Sequence, residues 1–370
     1  MLLLLGTIVG AGIFGVPAMI GAWGIIPSTI AFIILTVVAA SAHLLYTEAI
    51  IRNKKHSRLA GQASYWIGKK TSALGGFVVV LQVFGGTLAY IILGGEFLAV
   101  LASMIGVSVP LILWQLLFWL AGALLVLYGI KLVSRVESYL TWLLVAVIVF
   151  IVGVFSMDVD PSAVFVFPTT WTFEPYGIFL FALLGVTSIP EAVEVVKYRK
   201  DDARKAVLRG TIVAAVLTYG FGIATWMASG GDLSRDPADI IRFLPPVFAF
   251  TIPLFGFLAV TTSFITSSLD LKNMFHEDYA ISSVLSWIVA LGVPLALLFL
   301  TSRDFLSTIG LVGSVFGATT AVIVSFVGRA ALRSERKIKK YSTLWIWGEC
   351  MPFAIALFLL VGGFLWVLTR

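Results

Sequence analysis

Charge is scarce in this chain. Only 12% of its 370 residues are Asp, Glu, Lys or Arg, about half the share of an ordinary soluble domain. Hydrophobic residues make up 60% and mean hydropathy is +1.05. A soluble globular fold is excluded, and a polytopic membrane protein fits. Cysteine is nearly absent as well: Cys350 stands alone, so no intramolecular disulfide forms and a cysteine-based metal site has no support. There is no Gly-x-x-x-x-Gly-Lys-Ser/Thr phosphate loop, which argues against ATP-driven pumping. Nor is there a His-Glu-x-x-His, a Gly-x-Ser-x-Gly or a pair of intramembrane aspartates, so a membrane enzyme finds no nucleophile, base or metal set. No basic stretch precedes the first apolar run, so no cleavable signal is expected. Five residues precede Gly6, which predicts a short first half-helix.

Long apolar runs are what the chain has. Runs of about 20 apolar residues place eleven spans, at 2–26, 28–51, 73–104, 109–130, 136–157, 175–196, 207–229, 245–269, 280–301, 305–328 and 343–368. The net charge of +6 would suit nucleic acid, but the basic residues fall in short connections and so report topology instead. Arg52, Lys54, Lys55, Arg58, Lys69 and Lys70 follow span 2, and Lys131 and Arg135 follow span 4. Lys197, Arg199, Lys200, Arg204, Lys205 and Arg209 follow span 6, and Lys272 follows span 8. Arg329, Arg333, Arg336, Lys337, Lys339 and Lys340 follow span 10. Of 25 Lys and Arg, only Arg235, Arg242, Arg303 and Arg370 fall on the opposite side. The positive-inside rule makes the N-terminus cytoplasmic and the C-terminus extracytoplasmic, in a plasma or inner membrane.

Span 1 carries Gly6-Thr7-Ile8-Val9-Gly10-Ala11-Gly12-Ile13-Phe14-Gly15-Val16-Pro17. Four glycines and a proline break a helix, and lipid tolerates a break only where the freed backbone is buried in protein or lines a cavity. Span 6 repeats the device in Ala182-Leu183-Leu184-Gly185-Val186-Thr187-Ser188-Ile189-Pro190-Glu191. Two broken spans five apart predict two five-helix halves, 1–157 and 174–330, with 343–368 appended. Because five is odd the halves are inverted, and inverted repeats with broken first helices place a substrate and ion site near the midplane. Residues 52–72 predict a short amphipathic helix at the cytoplasmic interface, against the plainer reading of a solvated loop. The outer loops 158–174 and 230–244 hold acids and prolines and would help close the outer side.

These residues resemble the amino acid/polyamine/organocation superfamily, and within it the amino acid/auxin permeases and the hydroxy and aromatic amino acid permeases. Gly6 to Pro17 resembles the superfamily's first-span motif, Gly85 to Glu96 its third span, and Thr261-Thr262-Ser263-Phe264 the eighth span of the aromatic branch. The resemblance covers nearly the whole chain. It implies an all-α, leucine-transporter-like five-plus-five inverted repeat with discontinuous spans 1 and 6, and an amino-acid substrate. It assigns the substrate carboxylate to Gly10, Ala11 and Gly12, where the half-helix after the break offers unpaired N–H groups, with Thr7 also at the substrate site; the other reading is close helix packing. In span 6, carbonyls around Leu184, Gly185 and Val186 would accept the ammonium, with Phe181, Thr187 and Ser188 toward the side chain; the other reading is that the two hydroxyls only bond back to the preceding turn. Tyr90 would cap the carboxylate or simply pack.

Ala259, Thr262 and Ser263 share one helical face. With carbonyls of Gly6 and Val9 they resemble the superfamily's sodium site between spans 1 and 8; the alternative is a packing seam. The coupling ion stays open between Na+ and H+, and no other cofactor is expected. Intramembrane acids are functional hypotheses: Glu96 and Glu191 are gating or proton candidates, with a structural role as the alternative. Glu48, Glu137, Asp270 and Glu349 sit near span ends and are read as wet, His43 as packed and satisfied, and His56 and His276 as loop residues. The expected function is a secondary transporter, an ion-coupled symporter for a neutral, aromatic or branched amino acid working by alternating access. The alternative is a channel or a non-transporting membrane protein of the same fold. The partners are the amino acid and the lipid bilayer, without nucleic acid, and nothing sets an oligomeric state.

Overall fold

The computed structural model describes residues 1–53, 57–128, 133–157, 159–165, 172–243, 245–246, 249–334 and 343–369. Lys54, Lys55, His56, Lys131, Arg336, Lys337, Lys339, Lys340, Arg370 and much of the 158–174 loop lie outside them, as do the side chains of Arg135 and Glu137.

The described chain is helical throughout. Glycine and proline divide span 1 into α1 (Leu2–Ile8), a 3-10 turn (Ala11–Phe14) and α2 (Val16–Trp23), with Pro17 in the first turn of α2 where a missing N–H costs nothing. Gly24 then turns the chain at φ 80°, a conformation that favours glycine, into α3 (Ile25–Asn53). The interfacial α4 (Leu59–Trp66) follows, and then α5 (Lys69–Ser103), α6 (Leu111–Tyr128) and α7 (Val133–Phe155). Span 6 is split into α8 (Glu174–Leu183), a 3-10 turn (Val186–Ser188) and α9 (Ile189–Val195). After it come α10 (Lys200–Ala228), α11 (Thr251–Glu277) and α12 (Ser283–Leu300). Span 10 is α13 (Phe305–Leu311), a π segment (Val312–Gly317) and α14 (Ala318–Ser334), and α15 (Thr343–Leu368) ends the chain.

Eight helical segments among the described residues are long and apolar enough to cross a membrane, and Leu111–Leu127 and Thr141–Phe155 add shorter apolar helices. With the broken first span these are the eleven expected crossings. Leu357, Leu360, Leu300, Val216, Ile26 and Ile33 are exposed on the outer faces, as lipid contact requires. Span 8 begins at Thr251 and runs to Glu277 instead of covering 245–269; Pro245 and Pro246 cannot donate to a helix ladder, whereas Pro253 sits in a first turn that needs no donor. The extension also puts His276 in the last turn of α11 instead of a loop. The amphipathic helix expected in 52–72 is α4, with Leu59, Ala60 and Gln62 buried and Tyr65 exposed.

Two groups of helices meet at the breaks. In one, α3 packs on α10, α8 and α9, while α1 and α2 pack on α10; in the other, α5 packs on α11, α6 and α12.

Candidate functional site

Two of the glycines in span 1 hold positions that no side chain could. A Cβ on Gly12 would lie 2.6 Å from the Cα of Ala182, so the two broken spans touch backbone to backbone. A Cβ on Gly10 would collide with the hydroxyl of Ser263 in α11. The first bond of the 3-10 turn runs from Ile13 N–H to the Gly10 carbonyl, which leaves the N–H groups of Ala11 and Gly12 ahead of any acceptor in the turn.

A cavity of about 40 Å³ lies at this junction, lined by both breaks, by α5 and by Ser267 of α11. Thr7, Gly10, Ala11, Gly12, Tyr90, Phe181, Leu184 and Thr187 are all on its wall. Tyr90 and Phe181 face each other across it, ring centroids 6.5 Å apart, and the Tyr90 hydroxyl is within hydrogen-bonding reach of Ser267. No lining side chain carries a charge. The space holds about three waters, so admitting an amino acid requires the wall to yield. Thr7, Gln82, Phe181, Leu184 and Thr187 are its half-buried members.

Gly185 and Ser188 are not on the wall. Ser188 is fully buried, and its hydroxyl donates to the Gly185 carbonyl at 3.0 Å, where the Ser188 N–H also donates at 3.2 Å. That carbonyl, expected to face an ammonium, is occupied within the turn. The Gly185 N–H donates to Nε2 of His43 at 3.1 Å, Nδ1 of His43 meets the Thr211 hydroxyl at 2.9 Å, and that hydroxyl donates to the Val207 carbonyl at 3.0 Å. Because Nε2 accepts, the proton sits on Nδ1. His43 is packed and satisfied as read, and its task is to brace the second break.

The ion candidates divide. Val9 and Ala259 are fully buried, and Ser263, 1% exposed, has a hydroxyl without a hydrogen-bond partner. Thr262 donates to the Ala259 carbonyl at 2.9 Å, while Gly6 packs against the Thr141 hydroxyl of α7. Oxygen ligands with one unspent hydroxyl suit a hard monovalent cation.

Two acids read as wet, Glu48 and Asp270, are in fact buried, while Glu349 is half-buried. Glu48, 2% exposed, receives Arg204 at 2.5 and 3.0 Å and also pairs with Arg52. Asp270, 4% exposed, lies 3.4 Å from Arg58, which also reaches Glu191 at 3.6 Å and Glu277 at 3.8 Å. Glu349 holds Arg329 at 2.8 Å and pairs with Arg333. Charges at such depth persist only when paired. Burial pulls the Arg58 guanidinium down, but Asp270, Glu191 and Glu277 more than offset it and hold it above its ordinary value. Burial raises Asp278, against the opposing N–H bonds from Gly61 and Arg58. Beneath Arg58 a smaller cavity of about 10 Å³, lined by Tyr46, Asp270 and Thr320 among others, shares Gln82 and Thr187 with the first. Toward the other side, Phe14 packs on Phe97, Phe255 and Phe221 at centroid distances of 4.9, 5.5 and 6.0 Å. Glu96 is half-buried with Oε2 unpartnered.

Several known proteins are similar to this chain. "Glutamine transporter 2" of Aliivibrio fischeri (strain ATCC 700601 / ES114) is 23% identical over 376 residues, which cover 98% of this chain and 96% of that protein. The crystal structure of MhsT in complex with L-phenylalanine superimposes with a TM-score of 0.71 at 16% identity, covering 99% of this chain and 97% of the other. Mhp1, a nucleobase-cation-symport-1 family transporter, in a closed conformation with bromovinylhydantoin bound, gives 0.69 at 17% identity, covering 99% and 87%. The fold is thus the leucine-transporter-like five-plus-five inverted repeat with discontinuous spans 1 and 6. The tryptophan/tyrosine permease family model matches residues 1–368, and the chain belongs to that family: an integral, multi-pass membrane protein that transports amino acids and is not an enzyme.

Proposed function

We propose that the chain is a secondary transporter that couples entry of a neutral amino acid to Na+ or H+, with the cavity between the two breaks as its substrate site. The observation that carries this reading is that cavity, where unpaired backbone at the span 1 break faces the span 6 break and α5. The substrate carboxylate would sit on the Ala11 and Gly12 N–H groups with Tyr90 beside it, since unpaired N–H groups favour an anion. The ammonium would take the Leu184 carbonyl and the Thr187 hydroxyl, with Thr7 and Gly10 shaping the near wall. Phe181 would lie along the side chain.

The family name and the relative's name bring tryptophan, tyrosine and glutamine to this chain as candidate substrates. All three are uncharged, in agreement with a wall free of charged side chains. Na+ would sit at Gly6, Val9, Ala259, Thr262 and Ser263, a reading supported by the unspent Ser263 hydroxyl. Residues 1–157 and 174–330 would form the two inverted repeats, with 343–368 outside them. The basic connections favour a cytoplasmic N-terminus and an extracytoplasmic C-terminus. On that orientation the Arg58 cluster, Glu191 included, closes the inner side and the Phe14 cluster the outer. Glu96, with an unpartnered oxygen, is the acid best placed to take a proton from outside.

Uptake into proteoliposomes under an imposed sodium or proton gradient tests the reading. Gradient-driven uptake of tryptophan, tyrosine or glutamine is expected. Gradient-insensitive uptake would reject symport, and no amino-acid uptake would reject the substrate class.

A further inference from the structure

Gln82 is the one carboxamide on the wall of the larger cavity, and nothing in the reading above gives it a task. It lies on α5 four residues before Gly86 and eight before Tyr90, so the three share one helical stripe. Gly86 keeps that stripe open: a Cβ there would come no nearer than 3.9 Å to Phe181 Cε2 and 4.0 Å to the Tyr90 hydroxyl. The Gln82 side chain is half-buried and makes no hydrogen bond among the described residues. Its Nε2 lies 3.9 Å from where a Gly317 Cβ would sit, at the end of the π segment of span 10. Eight helical residues put about 12 Å between the Tyr90 and Gln82 backbone positions, but the Tyr90 hydroxyl reaches back to 4.0 Å from the Gly86 Cβ position, which leaves about one helical turn to Gln82, the reach of a polar side chain whose carboxylate is held at Tyr90.

We infer that Gln82 is the specificity-determining residue of the site: its amide bonds the polar tip of the substrate side chain. The favoured class is neutral amino acids whose apolar stem ends in a carboxamide, phenol or indole N–H, over phenyl and aliphatic side chains. This rests on the cavity being the substrate site. An amide both donates and accepts, so one residue serves all three tips. A substrate lacking the tip takes the place of water and leaves the amide unpaired, which costs roughly 10- to 100-fold in affinity.

The test is competition uptake with the full chain in proteoliposomes, using pairs matched in size: tyrosine against phenylalanine, and glutamine against methionine. Wild type is expected to favour tyrosine and glutamine by about tenfold or more. Gln82→Met, close in length and without the amide, should bring both ratios to within about threefold of unity by raising KM for tyrosine and glutamine while phenylalanine and methionine are still carried. Should that variant fail to elute as a monodisperse species, Gln82→Leu reads the same ratios. A wild type indifferent within each pair overturns the proposal, as do ratios unchanged in the variant. Gly86→Leu, which fills the cavity, separates the two claims: its loss of all uptake leaves the site standing even if Gln82 fails, and its retention of uptake removes the site and the proposal together.

Discussion

The two breaks solve one problem in opposite ways. Both interrupt a membrane helix and free backbone groups that lipid cannot satisfy. At span 6 the protein satisfies them itself: His43 takes the Gly185 N–H, and Ser188 gives both its hydroxyl and its N–H to the Gly185 carbonyl. At span 1 the means is close approach. Glycines admit Ala182 and Ser263 instead, and Ala11 and Gly12 line the cavity. The second break is a braced joint, and the first is an open one that lines the cavity.

Filling the open joint should do most harm. In Gly12→Val the side chain meets the Ala182 backbone, which cannot give; overpacking costs about 1–3 kcal/mol or more, and uptake in proteoliposomes should fall to background. Removing the brace comes next. His43→Leu strands the buried Gly185 N–H at a cost of about 1–3 kcal/mol, read as a lower melting midpoint in detergent, and His43→Gln, able to accept and donate, should recover part of it. The third variant separates the joints by sign. Ser263→Ala deletes an unpartnered buried hydroxyl, so the sodium-free protein should melt no lower than wild type, while half-saturation by sodium rises about tenfold. A lower melting point with unchanged sodium response would make Ser263 part of a packing seam. Ser188→Ala should do least, near 1 kcal/mol, because the Ser188 N–H still serves the same carbonyl.

Much of this was legible in one dimension. Eleven apolar runs, two glycine-proline interruptions and the placement of basic residues foretell the spans, and the breaks at Gly10 and Gly185 fall where the composition puts them. Partnerships across the sequence were not legible. Arg204 and Glu48 are separated by 156 positions, so an acid at a span end reads as wet until its partner is brought alongside. His43 looked like a packed residue because its role depends on an N–H freed 142 positions away. Gln82 escaped notice because a single amide in an apolar run breaks no pattern; the eight-residue spacing to Tyr90 was the available signal. For Ser188 the structure shows the second of the two readings, since a hydroxyl beside a freed carbonyl bonds it locally.

The hydrogen-bond series through His43 has a direction and two dead ends. It begins at a peptide N–H and finishes at a peptide carbonyl, with one proton between each pair of heavy atoms and no vacancy along the way. Neither terminus releases or captures a proton, and a second proton on the ring would evict the Gly185 N–H. The imidazole buried deepest in this membrane domain is therefore an insulator, and any proton that drives the transporter travels by another road.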